Sequence, residues 1–449
     1  MYWLDCWWGK ARFCLEISKS SDRNGNSRKQ RGEQVEIYPQ VNRDWPGLPV
    51  SAGYRGGHEL LTGSGFVRVP LGVIRVSGDS RLSWLETVTT QKLAGLAPGV
   101  GSEALVLDVQ GRIELAFYLV DDGHNTWILT EVPEATRVFL DAMRFRSKVE
   151  ITDCSQEFVV LGFLGSSLGL RDTGAVVLAG SLGASLGELA KVVWIDPWPR
   201  PVGETTVYTL PEASHPGLAP HEPEKRILAV IPPENIPTFE AQAAANHLVE
   251  ADLGVWEAVR IARWRPRLGR EGMPGMLPHE LDWLRSAVSL NKGCYTGQET
   301  VAKLVNRGRP PRRLVFLDLD GTSEELPRIG TELRLAMTGE PVGNLTSVAY
   351  HPTDGQIALG VVKRQTDPEA LLELIGPEGN PVRAAQTIIV NPSGDNPKRF
   401  DATKLATGLG MRAHRGGNGR KLGGLGNFGK GTTPQGKRGI GIGMKGNKQ

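Results

Sequence analysis

A chain of 449 residues, 40% hydrophobic and 22% charged, can bury a full core and is expected to divide into two or three units. Its longest apolar stretches, such as Phe158 to Leu164, fall far short of the ~20 residues of a bilayer-spanning helix, and Asp5 interrupts the aromatic opening Met1 to Trp8, so neither a membrane span nor a secretory leader is expected. The formal charge of +3 sums unlike parts: from Lys398 onward there are 12 Lys and Arg against one acid, leaving 40 basic and 48 acidic residues before it, a balance that speaks against a dedicated nucleic-acid binder.

The polar run Ser18 to Arg31 lacks apolar periodicity, and residues 1–50 read as a disordered extension. Val73–Val76 reads as a strand, Gly78-Asp79-Ser80 as a turn opening a helix through Val88. Ala104–Val109 and Ile113–Val120 form a predicted hairpin around Gln110-Gly111-Arg112, followed by a strand at Trp127–Thr130 and a helix over Pro133–Phe145. Strand character resumes at Val149–Ile151 and Phe158–Leu161, whereas residues 164–190, rich in Gly, Ser and Leu, carry little periodic signal. Val192–Ile195 and Ile227–Ile231 read as strands, Pro237–Val249 and Val255–Trp264 as helices, the second ended by Pro266. Mixed strands, hairpins and helices predict an α+β body over residues 51–310. Beyond the basic hinge Arg307–Arg313, five short strands from Leu314 to Ile375 predict a small antiparallel barrel over 311–393. Residues 394–449, glycine-rich and basic, read as a disordered tail that binds polyanions weakly and without specificity.

Four cysteines, Cys6, Cys14, Cys154 and Cys294, form no C-x-x-C pair, which argues against a disulfide framework or zinc site and fits a reducing cytoplasm. No phosphate-binding glycine loop precedes a helix. His279 beside Glu280 has neither metal spacing nor a nucleophile near it in sequence, so it reads as structural. The tryptophans, including Trp194 and Trp198, read as core. One segment stands apart: Lys292-Gly293-Cys294-Tyr295-Thr296-Gly297-Gln298-Glu299. Two glycines bracket Cys294 and imply a tight loop in close approach to another surface. Lys292 and Lys303 stand where an ammonium would favour the thiolate, Tyr295 could stack on a heterocycle, and Gln298 and Glu299 could orient one. Equally, Cys294 could be a small buried side chain in a turn before a helix over Gln298–Val305.

Lys292 to Glu299 resembles the K-G-C-Y-x-G-Q-E signature of the YgfZ family, relatives of the glycine-cleavage T-protein. Arg260–Arg267, Pro278-His279-Glu280, Arg309–Arg313 and Arg75–Leu85 with Thr89-Thr90-Gln91 resemble its actinobacterial branch, and the resemblance spans about residues 55–393. It implies an aminomethyltransferase-like body that binds tetrahydrofolate or a derivative, with iron–sulfur enzymes as clients, including tRNA-modifying ones. It also implies a functional role for Cys294, with Lys292, Gly293, Tyr295, Gly297, Gln298 and Glu299 around it in the folate site. Against the T-protein's paired aspartates this chain has Leu115 and Ala116, so the transfer carboxylate is missing in that register. Near Gly203-Glu204 the T-protein's pterin-contacting segment has no clear counterpart. Whether the chain turns over a substrate stays open; the alternative is a tetrahydrofolate-dependent aminomethyltransferase.

Overall fold

Short β-branched runs cut by glycine turns build most of this chain, and helices cover what the strands leave bare. The computed structural model describes residues 55–165, 182–209, 215–216 and 225–398. The extension over 1–50 and the tail beyond 398 lie outside the described residues. In chain order come α1 (Gly57–Leu61), β1 (Gly65–Arg68), β2 (Gly72–Ser77), α2 (Arg81–Val88), β3 (Gly101–Leu107), β4 (Ile113–Asp121), β5 (Asn125–Thr130), α3 (Pro133–Arg144), β6 (Glu150–Asp153) and β7 (Val159–Gly165). Then follow α4 (Leu182–Leu189), β8 (Val192–Ile195), β9 (Lys225–Ile231), α5 (Ile236–Ala245), β10 (Val249–Glu250), α6 (Leu253–Ala262), α7 (Leu284–Ala287) and α8 (Gln298–Asn306). Six strands close the described chain: β11 (Arg312–Leu319), β12 (Glu332–Leu335), β13 (Pro341–His351), β14 (Gly355–Lys363), β15 (Leu372–Ile375) and β16 (Pro381–Ile388).

Two five-stranded sheets, ordered β3-β4-β5-β2-β6 and β10-β1-β7-β9-β8, lie face to face. Their shared layer holds Tyr118, Val120 and Trp127 from one sheet and Val67, Val160 and Leu228 from the other, with Trp256 of α6 among them. Outside, α2 and α3 cover the first sheet through Trp84, Leu85 and Leu140, and α4 and α5 cover the second through Leu186 and Phe239. β4 is buried on both faces: Leu115, Phe117 and Leu119 meet the α2 and α3 side while Tyr118 and Val120 meet the second sheet, the period-2 alternation expected of a central strand.

β11 to β16 form a closed antiparallel barrel in the order β11-β14-β13-β12-β15-β16, closed by β11 against β16. The fold is therefore α+β with a C-terminal barrel. Closure leaves no free sheet edge. A further core joins barrel to sheets, holding Leu105, Tyr208, Trp264, Trp283, Tyr295, Val301, Leu314 and Ile357. Charge is buried at this junction too. Arg260 of α6 pairs with Glu257 at 3.0 Å and Glu271 at 2.9 Å and donates to Ser347 Oγ of β13 at 2.6 Å, while Arg267 bridges Glu257 to Glu131. Strong mutual attraction offsets the cost of desolvating these groups. Burial works against the Glu257 carboxylate, yet the Arg260 and Arg267 charges hold its pKa far below the ordinary range.

Candidate functional site

The Lys292 to Glu299 segment is delivered by an arm that runs from α7. Thr90 Oγ1 donates to Ala287 O at 2.6 Å, Gln91 Nε2 to Ser286 O at 2.8 Å, and Ser289 N to Thr90 O at 3.0 Å. Thr90 N in turn donates to Leu105 O of β3, so Thr89-Thr90-Gln91 threads between sheet and arm. On the other side Leu290 N donates to Glu204 O at 2.7 Å, and Asn291 Nδ2 to the Glu204 carboxylate at 2.7 Å.

Lys292 then turns inward. Its ammonium donates to Thr89 O at 2.6 Å and to Glu86 O, carbonyls at the C-terminal end of α2, where a positive charge meets the negative end of the helix dipole. The same Nζ stands 4.7 Å from the Tyr295 ring centroid. Burial lowers the Lys292 pKa to about 8, opposed by the Glu86 and Cys294 charges. Tyr295 belongs to the core that joins barrel to sheets, and burial raises its phenol pKa. Its ring is thus a buried platform beneath Lys292 rather than an open stacking face. Between these two anchored side chains, Gly293 and Cys294 are exposed to solvent.

Only one of the bracketing glycines is sterically required. Gly297 has φ +81°, and a Cβ there would stand 2.6 Å from Asp108 O and 3.0 Å from Gly111 Cα. Gly111, at φ +79°, answers from the β3–β4 hairpin, where a Cβ would meet the Thr300 side chain at 3.0 Å. Asp108 Oδ1 fixes that hairpin tip by accepting the Gln110 and Arg112 amides, each at 2.8 Å. A Cβ on Gly293 would meet nothing within 4 Å. The close approach inferred from the sequence is therefore confined to Gly297, which opens α8.

The remaining segment residues separate. Gln298 is half-buried at the first position of α8, whereas Glu299 points into solvent and pairs with Lys303 at 2.6 Å. Lys303 is thereby engaged by its i−4 neighbour, not by Cys294. His279 is fully buried with Nε2 3.3 Å from Val301 O and its ring edge-on to Tyr208, and burial lowers its pKa to about 4, so it is neutral and positions α8. Glu280 pairs with Arg312 at 2.8 Å. Trp194 and Trp198 are core residues whose indole N–H groups donate to Ser102 O and Arg263 O.

Two features were not singled out from the sequence. Glu103 is wholly buried behind the arm, where it accepts from Arg265 at 2.7 Å, Trp283 Nε1 at 2.9 Å and Ser286 Oγ at 2.6 Å, and burial raises its pKa. Glu114 lies on the β4 face of Ala116 and Tyr118, with its pKa raised to about 7 by burial and then by Asp108. Leu115, in the position compared with an aspartate, sits in the core under α2 and α3. The spacing of acidic residues in a strand gives no sign of such a shift; it arises from burial, with the Asp108 charge at the hairpin tip adding to it.

Cys154 is buried, and burial first and Glu157 second raise its pKa, whereas Cys294 is exposed. Iodoacetamide should therefore modify Cys294 in the native protein roughly tenfold or more faster than Cys154, read by peptide mass mapping. Comparable rates would show that the segment closes over its thiol. Among the described residues, no cluster of three His, Cys, Asp or Glu side chains could hold a metal ion, and no helix is long and apolar enough to cross a membrane.

No family model matches the chain. A protein of Arabidopsis thaliana named as a candidate chloroplastic transferase is 26% identical over 307 residues, 66% of this chain and 64% of that protein. The tRNA-modifying protein YgfZ of Vibrio atlanticus is 24% identical over 306 residues, 67% of this chain and 84% of its own. The chain thus spans just under two thirds of the Arabidopsis protein, and matches to several other YgfZ-named proteins span about half of their length. Among solved structures, the glycine cleavage system aminomethyltransferase T of Bartonella henselae superposes with a TM-score of 0.53 at 16% identity, over 76% of this chain and 90% of that one. YgfZ-named proteins of Vibrio atlanticus and Photobacterium profundum thus align with about two thirds of this chain at 24–25% identity, and its fold is that of an aminomethyltransferase T.

Proposed function

We propose that the chain is a folate-binding accessory protein of the YgfZ type, which supports iron–sulfur cluster assembly or repair in client enzymes, tRNA-modifying ones among them, through Cys294. The observation that carries this reading is the exposed thiol on a fixed mount, with Lys292 tied to α2 on one side and Gly297 seated on the β3–β4 hairpin on the other. A side chain meant only to fill a core would not be exposed between two such anchors. The proposed body, 51–310, and barrel, 311–393, divide just before β11, a division supported by that strand's start at Arg312.

Tetrahydrofolate or a derivative is the proposed ligand. A pterin edge needs a carboxylate and an amide side by side, and Glu204 with Asn291 supplies both next to Lys292. Gln298, half-buried, adds a second amide, with Lys292 and the Gly293 and Gly297 backbone completing the proposed site; Glu299 would reach it only by leaving Lys303. Folate supplies one-carbon carrier chemistry when bound. The protein's own residues orient the ligand and present the thiol. A reducing cytoplasm is the proposed setting, since an exposed cysteine without a disulfide partner persists there. An aminomethyl transferase is the competing reading; the burial of Leu115 disfavours it, while the raised Glu114 carboxyl leaves one group able to hold a proton near pH 7.

Calorimetric titration with tetrahydrofolate should show saturable binding that Cys294→Ala preserves, while the same variant fails to support iron–sulfur enzyme activity in cells lacking the protein. Full activity of Cys294→Ala in cells would sink the role of the thiol. Glycine-cleavage turnover by the purified protein would favour the transferase reading.

A further inference from the structure

We propose that the cavity between the start of α2 and the turn from α3 into β6 binds a small phosphorylated molecule that carries hydroxyl groups, a sugar phosphate being the simplest case. The cavity measures about 690 Å³, within the range of small-molecule sites. Its two walls differ in chemistry. The turn contributes the cations Arg146 and Lys148, while α2 and its approach contribute Asp79, Ser83, Trp84 and Thr87. Gly78, at φ +107°, brings the walls into backbone contact: a Cβ there would stand 2.3 Å from Lys148 O.

Arg146 and Lys148 are exposed and, among the described residues, neither is in an ion pair, whereas Arg137 on α3 is paired with both Glu134 and Asp141. The Arg146 guanidinium lies 5.2 Å from the Phe145 ring centroid, a contact that holds it at the turn without neutralising its charge. Asp79 is the one carboxylate in the lining, so the cavity keeps a net positive charge, and a guanidinium beside an ammonium suits a phosphate. α2 has no acidic residue in its first turn to oppose an anion there. The hydroxyls of α2 offer the complementary half. Ser83 Oγ donates to Ser80 O at 2.9 Å and Thr87 Oγ1 to Trp84 O at 2.7 Å, so each has spent its proton and presents lone pairs. Together with the Asp79 carboxylate they are acceptors, which hydroxyl groups on a ligand would satisfy. Cations on one wall and acceptors on the other distinguish a sugar phosphate from a bare anion and from a free sugar. The cavity is separate from the Cys294 segment, which meets α2 through Glu86 O and, just past its end, Thr89 O.

The test is calorimetric titration of the full chain at low salt with ribose 5-phosphate, inorganic phosphate and ribose. Ribose 5-phosphate should bind saturably, inorganic phosphate about tenfold more weakly for want of the hydroxyl contacts, and ribose not measurably. Arg146→Gln with Lys148→Gln should weaken ribose 5-phosphate binding by about tenfold or more, the worth of one charge-assisted contact. Ser83→Glu should abolish it by placing a second carboxylate in the lining. Because Ser83 is the third residue of α2, where glutamate favours a helix, Tm should be unchanged or raised in that variant. Loss of binding therefore cannot be put down to unfolding. The proposal is overturned if ribose 5-phosphate does not bind, if inorganic phosphate binds as tightly, or if either variant binds within twofold of wild type.

Discussion

Replacing Arg260 with methionine should lower the unfolding free energy by about 3–5 kcal/mol, because it strips the partner from buried carboxylates without removing them. Arg260 is fully buried and contacts Glu257, Glu271, Ser347 Oγ and Arg265 O. Urea unfolding followed by tryptophan fluorescence would show the midpoint fall, and adding Glu271→Gln should recover part of it, since the coupled pair is then removed together. A loss below about 1 kcal/mol would mean that the other arginine, Arg267, suffices. The pH dependence has a fixed sign. Glu257 has a lowered folded pKa, so its contribution is present above the ordinary carboxylate value and is lost as pH falls through the acid range. Wild type should therefore lose stability toward acid more steeply than the double variant.

Gly297→Ala should be nearly as damaging to the site. The new methyl would meet Asp108 O at 2.6 Å at φ +81°, a combination of backbone strain and collision that costs about 1–3 kcal/mol for the strain alone. α8 must then lift from the β3–β4 hairpin, and differential scanning calorimetry should record a Tm lowered by several degrees. Gly293→Ala is the control: its Cβ meets nothing within 4 Å, so it should stay within about 0.5 kcal/mol of wild type. Equal effects of the two substitutions would contradict the seating of the segment on the hairpin.

Strands with regular alternation were legible from sequence, as β4, β5 and the first barrel strands show, because each buries a face set by local period. What failed had a physical reason. β16, Pro381–Ile388, opens with proline, carries Arg383 on its solvent face and places half-buried Gln386 on the face of Val382 and Ala384, so no clean apolar alternation marks it in the sequence. β1 has four residues and draws its identity from pairing with β7 and β10. The helix expected over Pro237–Val249 stops at Ala245, where His247 takes φ 56° and releases Val249 to pair with Gly65. At the site, the Lys292 to Glu299 segment was readable because its residues are contiguous. Its mount was not: the carbonyls that hold Lys292 lie about 200 residues away in sequence. The pairing of Lys303 with Glu299, by contrast, follows from i,i+4 spacing and is a local rule that the sequence already contains.

The interlocked charges around Arg260 bear on how this chain can vary over time. All but Glu131, which pairs with Arg267 alone, answer to at least two others, and the members are drawn from α6, the loop after it, β13 of the barrel and the residue that follows β5. A single replacement strands a neighbour, while a compensated pair passes at far lower cost. Drift at these positions is therefore expected to proceed in steps of two or more residues, with lineages differing by whole exchanged sets rather than by isolated substitutions.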